Sequence, residues 1–364
     1  MTKQADLDRE TMLKALALAE KGLGNVAPNP SVGCIIVNDG QIVGQGFTQK
    51  GGRPHAETEA LKAAGNKAKG ATVYVTFEPC SHHGETPPCA DALIAAAVSR
   101  VVVAISDPDE RVSGRGIAKL QDAGITVDVG ECADEALWLN NGFIKCKNEQ
   151  RPHFTLKIAS SLDGHIASAS GESKWITGEE SRAAGHMLRA SHDAILVGIE
   201  TVIDDDPRLD CRVEGYEDRS PVRIILDGRA RLPLDSELVK TANEFQTILV
   251  TSAASSPNAM LLAEEGVLIL PVLDTRNMTQ VVSAIAAAGV TRVLVEGGAT
   301  IHSSFIAANI ADSIEWFRSG IILGGSSKSA VADFGQSDLE GAPRFRHVKS
   351  ESLGSDRHDT YRLS

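Results

Sequence analysis

Residues 71–98 read ATVYVTFEPCSHHGETPPCADALIAAAV, and this stretch decides the fold of the first half of the chain. Ala71 to Thr76 is an apolar, β-branched run and predicts a buried strand. Residues 81–88 carry histidines and prolines and predict a loop. Pro87-Pro88 marks a helix start at Cys89, and alanines with leucine carry the helix to Val98. A strand that passes into a helix through a polar loop is the repeating step of an α/β layer structure. The same alternation extends both ways. Upstream, residues 8–21 have helical spacing, residues 22–30 break it, and residues 32–37 and 41–46 form two strand-like runs. Asn38-Asp39-Gly40 between them predicts a hairpin. A helix follows from His55 to about Ala64. Downstream come a strand at 101–105, a helix at 116–123, a strand at 125–129, and a closing helix and exit segment over 131–147.

Residues 147–152 are charged and end in proline, so the linker is placed there, between domains at 1–147 and 152–364. The second pattern has strands at 154–159, 194–197, 222–226, 247–250, 267–270 and 293–295, with helices at 179–190 and 278–288. It predicts an open, mostly parallel sheet with ligands at the carboxyl ends of its strands. A chain of 364 residues suits two domains, each with its own core. A net charge of −12 argues against a nucleic-acid binder, although local arginines still suit a small anion. No apolar run reaches the roughly 18 residues that cross a membrane. Residues 1–10 lack the apolar centre of a signal peptide. A cytoplasmic protein without a membrane partner is expected. Cys34, Cys132, Cys146 and Cys211 have no paired spacing and read as small buried hydrophobes.

His55, Cys80 and Cys89 differ. One imidazole and two thiolates make a tetrahedral zinc site with one position open, where zinc lowers the pKa of a bound water. Glu57, two residues after the histidine, suits a proton shuttle. His55 and Glu57 fall in the first turn of one helix and Cys89 in the first turn of another, so two positive helix ends face one cavity. A structural site would need a fourth ligand, which His82 or His83 could supply. The set is similar to the H-x-E…P-C-x-x-C pattern of zinc base deaminases, but with eight residues between the cysteines instead of two.

The second half has no Gly-x-Gly-x-x-Gly fingerprint. It has Val293-Leu294-Val295-Glu296-Gly297-Gly298-Ala299-Thr300, a strand running into two glycines and a helix, which is either a plain turn or a phosphate loop. It also has three consecutive carboxylates at Asp204, Asp205 and Asp206, either a capped loop or a functional stretch.

Several long motifs carry a resemblance. APNPSVG at 27–33, His55-Ala56-Glu57, and EPCSHHGETPPC at 78–89 closely resemble the pyrimidine deaminases of riboflavin biosynthesis, which bacteria fuse to a reductase. KIASSLDG at 157–164, SKWITG at 173–178, and residues 193–210 and 295–299 resemble that reductase. The resemblance implies an N-terminal cytidine-deaminase-like three-layer α/β/α domain plus a C-terminal dihydrofolate-reductase-like α/β domain. It implies Zn2+ and NADPH as cofactors. The substrate implied is a small phosphorylated pyrimidine, 2,5-diamino-6-(5-phosphoribosylamino)pyrimidin-4-one, deaminated first and then reduced from ribosyl to ribityl. A homo-oligomer built through the reductase half is implied as well.

By the same resemblance Asn29 contacts the pyrimidine, and His82 and His83 line its pocket. Thr48 stands where some relatives have histidine. Asp205 is the polar catalytic residue of the reductase. Ser173, Arg189, Leu209, Arg212 and Glu296 take the substrate, the two arginines holding its phosphate. Ala159, Trp175, Thr201, Asp205, Gly228 and the loop Gly298, Ala299, Thr300, Ile301, His302, Ser303 and Ser304 take the cofactor. Arg229 and Arg231 are candidates for its extra phosphate. Other readings are a nucleic-acid or free-nucleoside deaminase with an accessory domain, which the acidic balance disfavours, and a zinc-stabilised binding protein.

Overall fold

The computed structural model describes residues 3–82, 87–108 and 113–364. It divides into two units, Met1–Arg151 and Pro152–Ser364.

The first unit is built on β1 (Gly33–Asn38), β2 (Gln41–Phe47), β3 (Thr72–Val75), β4 (Arg100–Val103) and β5 (Thr126–Val129), in the order β2-β1-β3-β4-β5. Its helices are α1 (Lys3–Glu20), α2 (Ala56–Ala64), α3 (Cys89–Ala95), α4 (Arg115–Asp122), α5 (Ala133–Leu139) and α6 (Asn141–Asn148). The hairpin forms where Asn38-Asp39-Gly40 predicts it. Asp39 and Gly40 take φ of 48° and 73°, the left-handed pair that a tight hairpin turn requires. β3, β4 and β5 run parallel, so their carboxyl ends lie on one side.

Helices cover both faces of this sheet. Met12, Ala15, Leu16 and Ala19 of α1 are buried at helical spacing. Gly33 faces this helix, and a Cβ there would lie 1.9 Å from the Ala15 carbonyl oxygen. The neighbouring residue, Cys34, pairs with Gly46 and faces the other way, towards α2. A Cβ at Gly44 would stand 2.2 Å from the Ala60 carbonyl oxygen, and one at Gly46 2.5 Å from that of Ala56. Backbone therefore packs on backbone, and this close contact sets where the amino end of α2 points.

The closing helix and exit segment expected at 131–147 are two helices, α5 and α6. Asn140 divides them, with φ −96° and ψ 14°. Its side chain accepts from the Ser31 N–H at 2.8 Å and donates to the Ser31 carbonyl at 3.1 Å. The partner is 109 residues away, so no local pattern announces the break.

The second unit carries a nine-stranded sheet, ordered β11-β10-β9-β8-β12-β6-β13-β16-β15. Its strands are β6 (His153–Ser160), β8 (Ala194–Gly198), β9 (Val222–Leu226), β10 (Thr247–Thr251), β11 (Leu268–Pro271), β12 (Arg292–Val295), β13 (Ser313–Arg318), β15 (Phe345–Leu353) and β16 (Asp356–Leu363). β7 (His165–Ala167) and β14 (Lys328–Ser329) pair separately. The helices are α7 (Glu179–Ala190), α8 (Ile199–Asp205), α9 (Glu237–Lys240), α10 (Pro257–Glu264), α11 (Met278–Ala287) and α12 (Ala299–Ala307). Strands β11 to β13 in that order are parallel, while β16 and β15 are antiparallel. Leu196, Ile224 and Val250 enter one core cluster, and Val197, Ile225 and Leu249 enter the other. Burial on both faces explains the unbroken apolar runs of these strands. β13, β15 and β16 were not expected. β15 reads FRHVKSESL and is mostly exposed, so it carries no apolar signal.

We expect Gly46→Ala to destabilise the first unit by about 1–3 kcal/mol, the usual cost of overpacking. Urea unfolding measures this. The variant should also lose zinc at lower chelator concentration than the wild type, because α2 carries the ligand end.

Candidate active sites

In the first unit, the three expected ligands converge. His55 is the N-cap of α2, Cys89 is the first residue of α3, and Cys80 follows the strand β3. Nδ1 of His55 lies 3.3 Å from Cys89 Sγ and 3.7 Å from Cys80 Sγ. All three ligand atoms fall within 4.8 Å of one another. Zinc bonds of about 2.3 Å to sulfur and 2.0–2.1 Å to nitrogen give a tetrahedral N···S edge of roughly 3.5 Å. The observed distances bracket that edge, so these residues fit a zinc ion. The long cysteine spacing is absorbed locally. The Cys89 N–H donates to Cys80 Sγ at 3.2 Å, and the Ala90 N–H to the Cys80 carbonyl at 3.2 Å, so both ends of the intervening segment meet.

The Cys89 thiol and main-chain N–H, with His55, hold Cys80 down to about 4. The Cys80 sulfur and burial push Cys89 well up. Bound zinc favours both thiolates. Glu57 is 3% exposed on the first turn of α2. Burial pushes its carboxyl up to about 7, with the charge of Cys80 adding to the rise. A nearby divalent cation works the other way. A carboxyl between these influences suits accepting and returning a proton.

His55, Cys80 and Glu57 line a cleft of about 840 Å³. Asn29 and His82 line it too, as expected. His83 lies outside the described residues. Thr48 lines the cleft, but its hydroxyl accepts from the Val32 N–H at 3.0 Å and serves the β1 junction. Three features of this cleft were not anticipated. Glu78, beside the ligand loop, accepts main-chain N–H bonds from Asp107, Gly114 and Gly116 at 2.9–3.1 Å and braces the start of α4. Phe77 and Phe143 form an edge-to-face wall. Arg53, Arg115, Lys119 and Lys147 supply cations. Arg115 and Lys119 stand one helical turn apart, a spacing that could have flagged them.

In the second unit, many of the expected residues fall at carboxyl ends of adjacent strands. Ala159 is the last residue but one of β6, Thr201 follows β8, Gly228 follows β9 and Gly298 follows β12. The order β9-β8-β12-β6 makes these ends neighbours. Gly298 is the N-cap of α12, has open space where a Cβ would stand, and α12 has no side-chain cap. Its first-turn N–H groups therefore suit an anion such as a dinucleotide phosphate. Ala299 and Thr300 begin this helix, and Ile301 is half-buried against Gly198 and Gly297. His302 and Ser303 point inward: the His302 ring lies 3.0 Å from the Ala330 carbonyl, and Ser303 donates to the Thr300 carbonyl, as Ser304 does.

Asp205 ends α8 and pairs with Lys174 at 2.9 Å, which ties the 173–175 segment to the 201–205 segment. Ser173 is half-buried there. Trp175 is 68% exposed, with the Arg182 guanidinium over its ring at 4.6 Å. Leu209 is 3% exposed and held at φ 56°, a strained conformation for leucine. Arg189 forks onto Glu296 at 2.8 and 2.9 Å and donates to the Asp210 carbonyl. Burial opposes the Glu296 charge, yet Arg189 and Lys157 hold its carboxyl well below the usual range. Arg212 donates to Asp210 at 2.6 Å and remains more than half exposed. Arg231 pairs with Glu200 at 2.7 Å, while Arg229 is exposed. Arg223, fully buried, donates to the Arg208 carbonyl and anchors the loop that carries Leu209.

A cleft with a histidine–dithiol cluster in a three-layer unit, followed by a mostly parallel sheet whose strand ends gather glycines and an uncapped helix start, is the arrangement of a deaminase fused to a reductase. The chain belongs to the RibD family of riboflavin biosynthesis proteins, bifunctional enzymes that are both deaminase and reductase. The RibD C-terminal domain family matches residues 152–358, and the cytidine and deoxycytidylate deaminase zinc-binding region matches residues 5–105. The chain is 43% identical over 351 residues to riboflavin biosynthesis protein RibD of Aquifex aeolicus, covering 96% of this chain and 97% of that one. It is 39% identical over 363 residues to RibD of Escherichia coli, covering 96% and 97%. The structure superposes on Acinetobacter baumannii RibD with a TM-score of 0.88 at 39% identity, covering 99% of both chains. It also superposes on the diaminohydroxyphosphoribosylaminopyrimidine deaminase/5-amino-6-(5-phosphoribosylamino)uracil reductase of Thermotoga maritima, with a TM-score of 0.88 at 35% identity, covering 99% of this chain and 100% of that one.

Elemental analysis of the purified chain should find one zinc per molecule. Cys89→Ser should weaken metal retention against a chelator by at least about 100-fold, since even outer-sphere changes cost 10- to 100-fold.

Proposed function

We propose that residues 1–147 deaminate 2,5-diamino-6-(5-phosphoribosylamino)pyrimidin-4-one with Zn2+, and that residues 152–364 reduce the product's ribosyl group to ribityl with NADPH. The observation that carries this reading is the meeting of His55, Cys80 and Cys89 beside a buried Glu57 in one cleft. Held by the three ligands, zinc supplies a water activated near neutral pH. Glu57 would take a proton from that water as its oxygen bonds to the ring carbon and pass it to the exocyclic amine as the C–N bond breaks, so that ammonia leaves and a carbonyl remains. Asn29, in the lining of the same cleft, orients the pyrimidine. The Phe77–Phe143 pair gives the cleft an apolar stretch of wall.

In the second unit NADPH supplies the hydride. The first turn of α12, with Ala159, Thr201 and Gly228, positions the dinucleotide along the strand ends. Trp175 offers an exposed ring beside Lys174 and Asp205. Asp205 sits where the 173–175 and 201–205 segments join and acts on the opened sugar. Arg212 faces the substrate phosphate, while Arg189, forked on Glu296, holds that carboxylate in place for a sugar hydroxyl. The enzyme works in the cytoplasm as a homo-oligomer assembled through the reductase half. Among the described residues no helix is long and apolar enough to cross a membrane.

The test is an assay with the diaminopyrimidine phosphate, with and without NADPH, following ammonia and nicotinamide absorbance together. Ammonia should appear without NADPH, and NADPH oxidation should depend on prior deamination. Release of ammonia from a tRNA or from cytidine, but not from this compound, would sink the reading. Glu57→Gln should keep its zinc and lose deamination by about 100- to 10,000-fold, while still oxidising NADPH with preformed deaminated substrate. Asp205→Asn should lower NADPH oxidation by about 100-fold and leave ammonia release intact.

A further inference from the structure

We infer that Arg115 and Lys119, on one face of α4, form the subsite that grips the substrate's phosphate in the deaminase cleft, so that deamination selects phosphorylated pyrimidines. This rests on the functional reading above and names the residues behind its substrate class. The cleft is much larger than a pyrimidine ring. At about 840 Å³ it falls in the range of roughly 300–1,000 Å³ that takes a nucleotide-sized ligand. His55, Cys80 and Glu57 are among its walls, and the volume exceeds what the pyrimidine needs.

The chain as a whole repels an anion, with a net charge of −12. A phosphate therefore needs local cations. Arg115 and Lys119 lie four residues apart on α4 and both line the cleft with His55 and Cys80. Arg115 is exposed and has no hydrogen-bonded or ionic partner among the described residues, so its planar fork is open to phosphate oxygens. Lys119 is steadied by Asp91 on α3 at 2.5 Å. An ammonium has three donors, so this pairing fixes its position and leaves donors for a ligand. Of the acidic residues in the wall, Glu57, Glu78 and Asp107, Glu78 has its oxygens engaged by the main-chain N–H groups of Asp107, Gly114 and Gly116. Those bonds hold the start of α4, and with it Arg115, against the ligand loop. Gly116 makes that approach possible, since a Cβ there would stand 2.0 Å from the Pro79 carbonyl oxygen.

The experiment compares the diaminopyrimidine riboside 5′-phosphate with its dephosphorylated form, using the full zinc-loaded chain and ammonia release as the readout. The wild type should prefer the phosphorylated compound, and raised salt should erode the preference because both cations are solvent-accessible. The Arg115→Gln/Lys119→Gln variant should raise KM for the phosphorylated compound about 10- to 100-fold, the scale of one or two charge-assisted hydrogen bonds, with kcat little changed. The ratio of kcat/KM between the two compounds should collapse towards one. Arg115→Lys should recover part of it. Zinc content and thermal unfolding of each variant report that the unit is folded. Equal wild-type kcat/KM on both compounds would overturn the inference and leave the deaminase reading standing. A double variant that keeps the wild-type preference, or loses both compounds equally, would overturn it too. A wild type that deaminates neither compound would sink the functional reading first, and this one with it.

Discussion

The contact between α2 and the β1–β2 hairpin is the constraint on which the deaminase site depends. Gly44 and Gly46 remove two side chains from β2, and the helix backbone settles directly on the strand. That seat aims the amino end of α2, with His55 and Glu57, at the carboxyl end of β3, where Cys80 emerges. The opposite face repeats the device, with Gly33 under α1. A metal site needs its ligands within a few tenths of an ångström, and only rigid elements hold them so. Here the rigidity comes from helix on strand, without a disulfide among the described cysteines.

A second layer of bonds holds the walls. Asn140 interrupts a helix to clasp both main-chain groups of Ser31, next to the segment that presents Asn29. Glu78 gathers main-chain N–H groups from residues on either side of the 109–112 segment and sets the start of α4. Both are buried polar side chains whose hydrogen bonds reach far along the sequence. Leaving such groups unpaired costs about 1–3 kcal/mol each, so they hold loop positions that apolar packing leaves loose.

The reductase unit works by topology. Parallel strands end together, so segments separated by more than a hundred residues meet at one edge. The polar groups at this edge are already engaged with one another. Arg189 with Glu296, Arg212 with Asp210, and Lys174 with Asp205 are preformed pairs. Such pairing keeps side chains oriented before a ligand arrives, which lowers the cost of binding it.

Much of this was legible in the chain itself. Asn38-Asp39-Gly40 announced its hairpin because only a few residues accept two left-handed positions in succession. His55, Glu57, Cys80 and Cys89 announced their chemistry because few side chains bind zinc and move protons. The apolar strands of the second unit showed themselves because both of their faces are buried. Other features had no local trace. β15 and β16 are too polar to read as strands, the break at Asn140 depends on Ser31, and the cations of the cleft look like surface residues of α4 and α6. The candidate ligands, the hairpin turn and the buried strands were readable locally, because those depend on side-chain chemistry and short-range sterics. Only the tertiary structure decided which distant residues share a wall and where the charged ones point, because that follows from how helices seat on sheets.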